Sequence, residues 1–256
     1  MPPTDAEVLD LLRDYFRERI PRGMQIADAA VARALHGHDP EWIKLNFSEL
    51  VEAVQIDAYK EYLAAEATTG RETLASVFLP LAGKNPTARE LMDTIGRHFF
   101  ALDRFFLGLT QGRRPRAGKA FELLIKELFV RLQYPFTPQA IINGQPDFVL
   151  PSIEHFRRHA ADCIIFTVKR TLRERWRQIV TEGTRGLGFY LGTIDEAVAV
   201  RDLQEMLNAR IYLVVPTRIK TIREDYEQAP NVITFENFFQ YHLDPAMTRW
   251  RGAGVI

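Results

Sequence analysis

The chain has 256 residues, enough for one large domain or a core with a smaller attachment. Hydrophobic residues make up 46% and charged residues 26%, as in ordinary globular proteins, and no run of about 18 apolar residues suggests a membrane span. Net charge is zero, which argues against a protein that coats DNA non-specifically. The charge is uneven, however: residues 1–75 hold 14 acids and 8 bases, a net of −6, so the remainder carries +6.

The first 110 residues read as helices. Asp5–Arg19 places Val8, Leu11, Leu12, Tyr15 and Phe16 at helical spacing, and Gln25–Leu35 and Trp42–Ala65 follow the same rule. Thr87–Leu109 is a further helix, and its Phe99, Phe100, Phe105 and Phe106 are expected in the core. The basic stretch Arg113-Arg114-Pro115-Arg116 precedes a new helix over Ala117–Leu132.

From there the pattern alternates. Gln139–Asn143 and Asp147–Leu150 read as strands around Asn143-Gly144, and Ser152–His159 as a short helix. Asp162–Lys169 has the continuous apolar content of a buried strand. Thr171–Glu182 is a helix, Gly186–Gly192 a strand, Asp195–Leu207 a helix, Ile211–Val215 and Asn231–Thr234 strands, and Phe235–Tyr241 a last helix. This order implies an α/β fold: a central mixed sheet flanked by helices, preceded by a helical N-terminal region. The expected domains are 1–110, supporting DNA binding or dimerisation, and a core at 111–256. Cys163 is the sole cysteine, so no intramolecular disulfide can form, and its apolar neighbours predict burial. The N-terminus lacks the basic and apolar regions of a signal peptide, so a cytoplasmic location is expected.

The chemistry concentrates in Asp147, Lys169 and Glu182. Two carboxylates and a lysine can hold a hard divalent cation, aim a water at a phosphodiester and balance charge as the bond breaks. Asp147 begins a strand and Lys169 ends the next long one, so both can reach one rim. The bland reading is a turn aspartate and a strand-end lysine. An acid two residues before such a lysine is the usual partner, but Thr167 stands there. A relocated acid is then required, and Glu182, about three turns along the next helix, can supply it; otherwise it is a solvated helix-end glutamate. Glu122 either completes the metal shell or offsets the dipole of a helix starting at Ala117. Arg116 and Lys119 at that helix start could grip phosphate together with its free amides.

Thr171-Leu172-Arg173-Glu174 matches a capping box, which explains Glu174 structurally. Alternatively Glu174 accepts from a cytosine amino group while Arg173 and Arg175 donate to guanine. Leu172, Trp176, Ile179 and Val180 form an apolar face, and Arg177 contacts either backbone phosphate or solvent. These residues together point to a DNA endonuclease. A structure-directed repair or recombination nuclease and a non-catalytic DNA-binding module are the competing readings.

Four segments in order carry a resemblance: Arg116-Ala117-Gly118-Lys119-x-Phe121-Glu122, Pro146-Asp147-Phe148-x-Leu150-Pro151-Ser152, Lys169-x-Thr171-x-Arg173-Glu174-Arg175-Trp176-Arg177-Gln178, and Leu213-Val214-Val215-Pro216. Over residues 113–240 the chain resembles the EcoRII-like type II restriction endonucleases. The resemblance implies a PD-(D/E)xK nuclease fold with the second acid displaced onto a helix. Asp147, Lys169 and Glu182 then take the catalytic positions, Glu122 the accessory acidic one, and Arg173, Glu174 and Arg175 the segment that reads adjacent C·G pairs. It further implies Mg²⁺, palindromic double-stranded DNA sites containing CC/GG (CCNGG, CCWGG or CCGG-like), a homodimer, and a cognate DNA methyltransferase within a prokaryotic restriction-modification pair. In several relatives the N-terminal part helps to extrude the central base pair. Trp42 and Arg33 are candidates for that, although Trp42 reads more simply as a helix-packing residue.

Overall fold

A computed structural model describes residues 2–142, 145–172 and 188–256, and leaves the side chains of 114–119 undescribed. Two compact units emerge: residues 1–27 with 57–119, and residues 28–56 with 120–256. The expected division at residue 110 therefore differs from the packing, because residues 28–56 group with the C-terminal unit.

The first unit is helical. Helix α1 (Asp5–Arg19) opens on a capping box in which the Glu7 amide donates to Thr4 Oγ1 at 3.3 Å and the Thr4 amide donates to Glu7 Oε2 at 2.8 Å. Its buried face, Val8, Leu9, Leu12 and Phe16, packs with Val77 and Phe78 of α4 (Phe47–Ala82) and Ala101 and Phe105 of α6 (Phe99–Arg131). Helix α5 (Ala88–Arg97) is capped by Thr87 and Glu90 in the same way, and the chain turns at His98, whose ring bonds Asp5 at 2.8 Å. Of the four phenylalanines expected in the core, only Phe105 is there; Phe99, Phe100 and Phe106 are 64%, 71% and 48% exposed. Successive helical residues are turned by about 100°, so Phe106 is carried off the stripe through which Phe105 meets Phe16 of α1.

Helix α6 also corrects the expected break between residues 109 and 117. It runs without interruption through Pro115, so no helix begins at Ala117 and no free N-terminal amides lie there to hold phosphate. Glu122 is accordingly an interior residue of a long helix, not a first-turn acid.

The second unit contains α2 (Gly23–Leu35) from residue 28, α3 (Pro40–Leu45), the start of α4, the end of α6 and a six-stranded sheet. The strands are β1 (Thr137–Pro138), β2 (Phe148–Leu150), β3 (Ile164–Val168), β4 (Gly188–Gly192), β5 (Ile211–Val215) and β6 (Val232–Thr234), in sequential order. The first two pairings are antiparallel and the other three parallel, giving the expected mixed sheet. The strand expected at Gln139–Asn143 is displaced to Thr137–Pro138, because Gln139 adopts φ 48° and turns the chain.

All five residues of β3 are buried, as a strand covered on both faces requires. On one face, Phe166 meets Phe129 of α6 at 5.7 Å and Phe238 at 5.0 Å between ring centroids. On the other, Ile165, Leu191 and Leu213 pack against Leu203 and Met206 of α8 (Val200–Asn208), Ile219 of α9 (Thr217–Ile222) and Tyr226 of α10 (Glu224–Gln228). Helix α7 (Ile153–His159) follows β2, and α11 (Phe235–Phe238) continues through a π-helical turn into α12 (Asp244–Gly252). In α12, Trp250 is fully buried and donates to Asp162 Oδ2 at 3.0 Å. Cys163 is buried as expected. No helix among the described residues is long and apolar enough to cross a membrane.

Candidate active site

Strand pairing brings two of the candidate residues, Asp147 and Lys169, together. Phe148 pairs with Phe166 in antiparallel register, so Asp147 lies opposite Thr167. Side chains alternate along β3, so Thr167 and Lys169 share the face that carries Ile165. The Asp147 carboxylate is thus set against the end of β3, 9% exposed at the sheet rim. Its Oδ2 accepts from the Val168 amide at 2.7 Å and the Thr167 hydroxyl at 3.0 Å. The Lys169 ammonium stands 3.6 Å from the same oxygen, and its side chain is 42% exposed. The expected meeting of Asp147 and Lys169 is therefore present.

All of these contacts fall on Oδ2. Among the described residues, Oδ1 accepts no hydrogen bond. A carboxylate with one oxygen fixed by the strand and the other accepting no bond from the described residues suits a hard cation, which prefers oxygen ligands. Among the described residues, no group of three His, Cys, Asp or Glu side chains is close enough to hold a metal. Glu182, the expected second acid, lies outside the described residues, as do Arg173, Glu174, Arg175 and Arg177. The side chains of Arg116 and Lys119 are likewise outside them.

Glu122 connects to the site through Gln139. The Gln139 side-chain amide donates to Glu122 Oε1 at 3.2 Å, and its backbone amide donates to the Asp147 carbonyl at 2.9 Å. Sequence reasoning treated Thr167 only as a missing acid. The structure makes it a buried donor, 1% exposed, that helps to orient Asp147. Its placement two residues from the lysine, opposite the aspartate, could have signalled this. Gln139 carried no such signal, since its link depends on a turn at positive φ.

Trp42 departs from the helix-packing expectation. Its side chain is 38% exposed and its ring stacks on His38 with centroids 3.5 Å apart and planes 8° from parallel. The Asp39 side chain accepts from the Trp42 amide at 2.8 Å, which caps α3.

Comparison with known proteins bears on the family and the fold. The family described as EcoRII C terminal matches residues 86–239. The type II restriction enzyme EcoRII of Escherichia coli is 32% identical over 139 residues, covering 50% of this chain and 34% of that protein. The type II restriction enzyme SsoII of Shigella sonnei is 30% identical over 150 residues, covering 54% of this chain and 48% of that protein. The chain therefore spans between about a third and a half of the length of these relatives. Among solved structures, metal-depleted Ecl18kI in complex with uncleaved DNA superposes with a TM-score of 0.80 at 22% identity, covering 98% of this chain and 86% of that one. A PspGI–substrate DNA complex gives 0.61 at 20% identity, covering 91% and 94%. The fold is that of these restriction endonucleases, and the family match extends over more than half of the sequence. The chain belongs to the EcoRII C-terminal family of type II restriction endonucleases.

Proposed function

We propose that this chain is a type II site-specific deoxyribonuclease making Mg²⁺-dependent double-strand cuts at a short palindromic site containing CC/GG. The observation that carries the reading is the Asp147 carboxylate, fixed through Oδ2 with Lys169 at 3.6 Å, on the rim of a restriction-endonuclease sheet. Asp147 would hold the divalent cation together with Glu182, with Glu122 as the accessory acid acting through Gln139. When bound, such a cation polarises the phosphate and lowers the pKa of an attacking water.

The chain's own residues supply the rest. Val168 and Thr167 restrain the Asp147 carboxylate before substrate arrives, so little reorganisation is needed during reaction. Lys169 carries a half-exposed ammonium that can turn from Asp147 toward the scissile phosphate and offset the negative charge that develops there. Arg173, Glu174 and Arg175 read C·G pairs in the major groove, while Arg116, Lys119 and Arg177 hold backbone phosphates. The endonuclease chemistry is assigned to residues 111–256 and support of DNA binding or dimerisation to residues 1–110, of which 28–56 pack in the same unit as the sheet. A palindromic target calls for two copies of the site, hence a homodimer. A methyltransferase of matching specificity would protect the host's own sites. The exposed Trp42–His38 stack is a place where an extruded base could be received.

The reading is tested by Asp147→Ala. Incubated with plasmid DNA and Mg²⁺, wild type should release discrete fragments. Asp147→Ala should release none, yet still retain the same DNA in a gel-shift assay with Ca²⁺. Cleavage by Asp147→Ala at the wild-type rate would remove the proposed site.

A further inference from the structure

Between Lys169 and Arg173 lie only Arg170, Thr171 and Leu172, the connector from the rim lysine to the proposed base readers. Three successive holds on this connector come from the end of β4 and the loop after it. The Lys169 amide donates to the Gly192 carbonyl at 2.9 Å. The Thr193 hydroxyl donates to the Arg170 carbonyl at 3.4 Å. The Leu172 amide donates to Asp195 Oδ2 at 2.8 Å. This last bond is made to a charged acceptor, and it sits one peptide before Arg173.

Asp195 is itself held from several directions. Its other oxygen, Oδ1, accepts from the Ala197 amide at 2.9 Å, and its own amide donates to Thr193 Oγ1 at 3.1 Å. Its carbonyl accepts from the Tyr226 hydroxyl at 3.0 Å. Tyr226 is fully buried, and its hydroxyl oxygen also accepts from the Val198 amide at 3.0 Å. The Arg223 guanidinium lies 4.6 Å from the Tyr226 ring centroid and donates to the Glu196 carbonyl at 2.7 Å. The Thr193 amide donates to the Val214 carbonyl of β5 at 2.9 Å. The loop is thus tied to the sheet on one side and to α10 on the other, and Asp195 transmits that rigidity to Leu172.

We propose that Asp195 is a specificity-positioning residue: its carboxylate fixes the Leu172 amide, the last described anchor after Lys169 and before the base-reading segment begins in sequence. The proposal rests on the reading of Arg173–Arg175 as base readers. Groups that read base edges must be held within about 0.5 Å of their productive position by partners that are themselves locked. Asp195 supplies that lock from outside the DNA contact. Its loss should therefore loosen discrimination among sequences more than it weakens attachment to DNA, which phosphate contacts dominate.

The experiment compares the full chain with Asp195→Ala, Asp195→Asn, Thr193→Val and Arg175→Ala. Each digests genomic DNA with Mg²⁺, and the fragment ends are sequenced. The readout is the ratio of ends at the cognate site to ends at sites differing by one base pair, with thermal melting measured in parallel. Asp195→Ala should lower this ratio by about tenfold, the scale of one hydrogen bond to a charged acceptor. Asp195→Asn keeps one acceptor oxygen and should fall between wild type and Asp195→Ala. An unchanged ratio in Asp195→Ala, with all sites cut more slowly by one common factor, overturns the proposal. If Asp195→Ala fails to fold, the near-isosteric Thr193→Val decides: a lowered ratio supports the proposal and an unchanged one overturns it. Arg175→Ala separates the two layers. If its ratio stays at the wild-type value, the base-reading assignment fails; if its ratio collapses while Asp195→Ala keeps the wild-type value, only Asp195 is reassigned.

Discussion

Replacing Thr167 with valine probes whether the strand position two residues before Lys169 has lost its chemical role. Thr167 is 1% exposed, and valine fills nearly the same volume, so the substitution removes one hydroxyl and little packing. The lost contact is the 3.0 Å hydrogen bond to Asp147 Oδ2. A hydrogen bond to a charged group contributes about 1.5–3 kcal/mol. Oδ2 keeps the Val168 amide at 2.7 Å and Lys169 at 3.6 Å, so the low end applies, about 1.5 kcal/mol. In a chain of this size that lowers the melting temperature by about 3–6 °C. Loss of a group that orients a metal ligand costs roughly 10–100-fold in activity, and the surviving amide again favours the lower figure, about tenfold. Single-turnover plasmid cleavage in saturating Mg²⁺, with calorimetric melting alongside, measures both quantities. If Thr167→Val is as inactive as Asp147→Asn while melting near wild type, Thr167 acts in the chemistry itself, and the argument for a relocated acid fails.

If Glu182 is the relocated acid, Glu182→Ala should abolish cleavage in the same assay; activity within about threefold of wild type would leave it a surface glutamate. Gly192→Ala should destabilise the sheet. A Cβ there would stand 3.0 Å from the Phe166 ring, which also packs against Phe129 and Phe238. Overpacking of this kind costs about 1–3 kcal/mol, so the melting temperature should fall by roughly 2–12 °C, and an unchanged value would mean that the ring repacks freely. The Cys163 thiol is buried, and that burial pushes its pKa up to about 12, so the thiolate is suppressed near neutral pH. A thiol reagent at pH 8 should label it only after denaturant is added; rapid labelling of the native protein would contradict its placement.

The meeting of Asp147 and Lys169 was legible because strand patterning puts each residue at a strand end, and antiparallel pairing of those two strands then brings the ends to one rim. The strand Ile211–Val215 was equally plain, an apolar run stopped by Pro216. The helices were harder to delimit. Pro115 reads as a breaker, yet α6 continues through it, since buried residues on both sides, from Phe105 to Phe121 and Leu124, hold the helix together. The same continuity explains why a boundary at residue 110 does not match the packing. Helices α4 and α6 each contribute to both units, and hydrophobic spacing cannot tell which half of one helix packs with the sheet. The phenylalanines of residues 99–106 show the converse: aromatic content suggested a core, but angular position around the helix decides burial. Helix α12 went unnoticed because it is short and its buried residues Ala246, Met247 and Trp250 are interrupted by Thr248 and Arg249, although Asp244-Pro245 marks its first turn and Trp250 anchors it. The Asp195 anchor could not be read from sequence at all, since its hydrogen bond to Leu172 joins residues 23 positions apart.

The most direct test of the central claim is to digest unmethylated genomic DNA with the wild-type chain and Mg²⁺ and to sequence the fragment ends. The account predicts ends confined to one short palindromic motif containing CC/GG, cut on both strands, and no ends above background from Lys169→Ala. Ends scattered without a common motif, or located at branched or damaged DNA instead of a sequence, would contradict it.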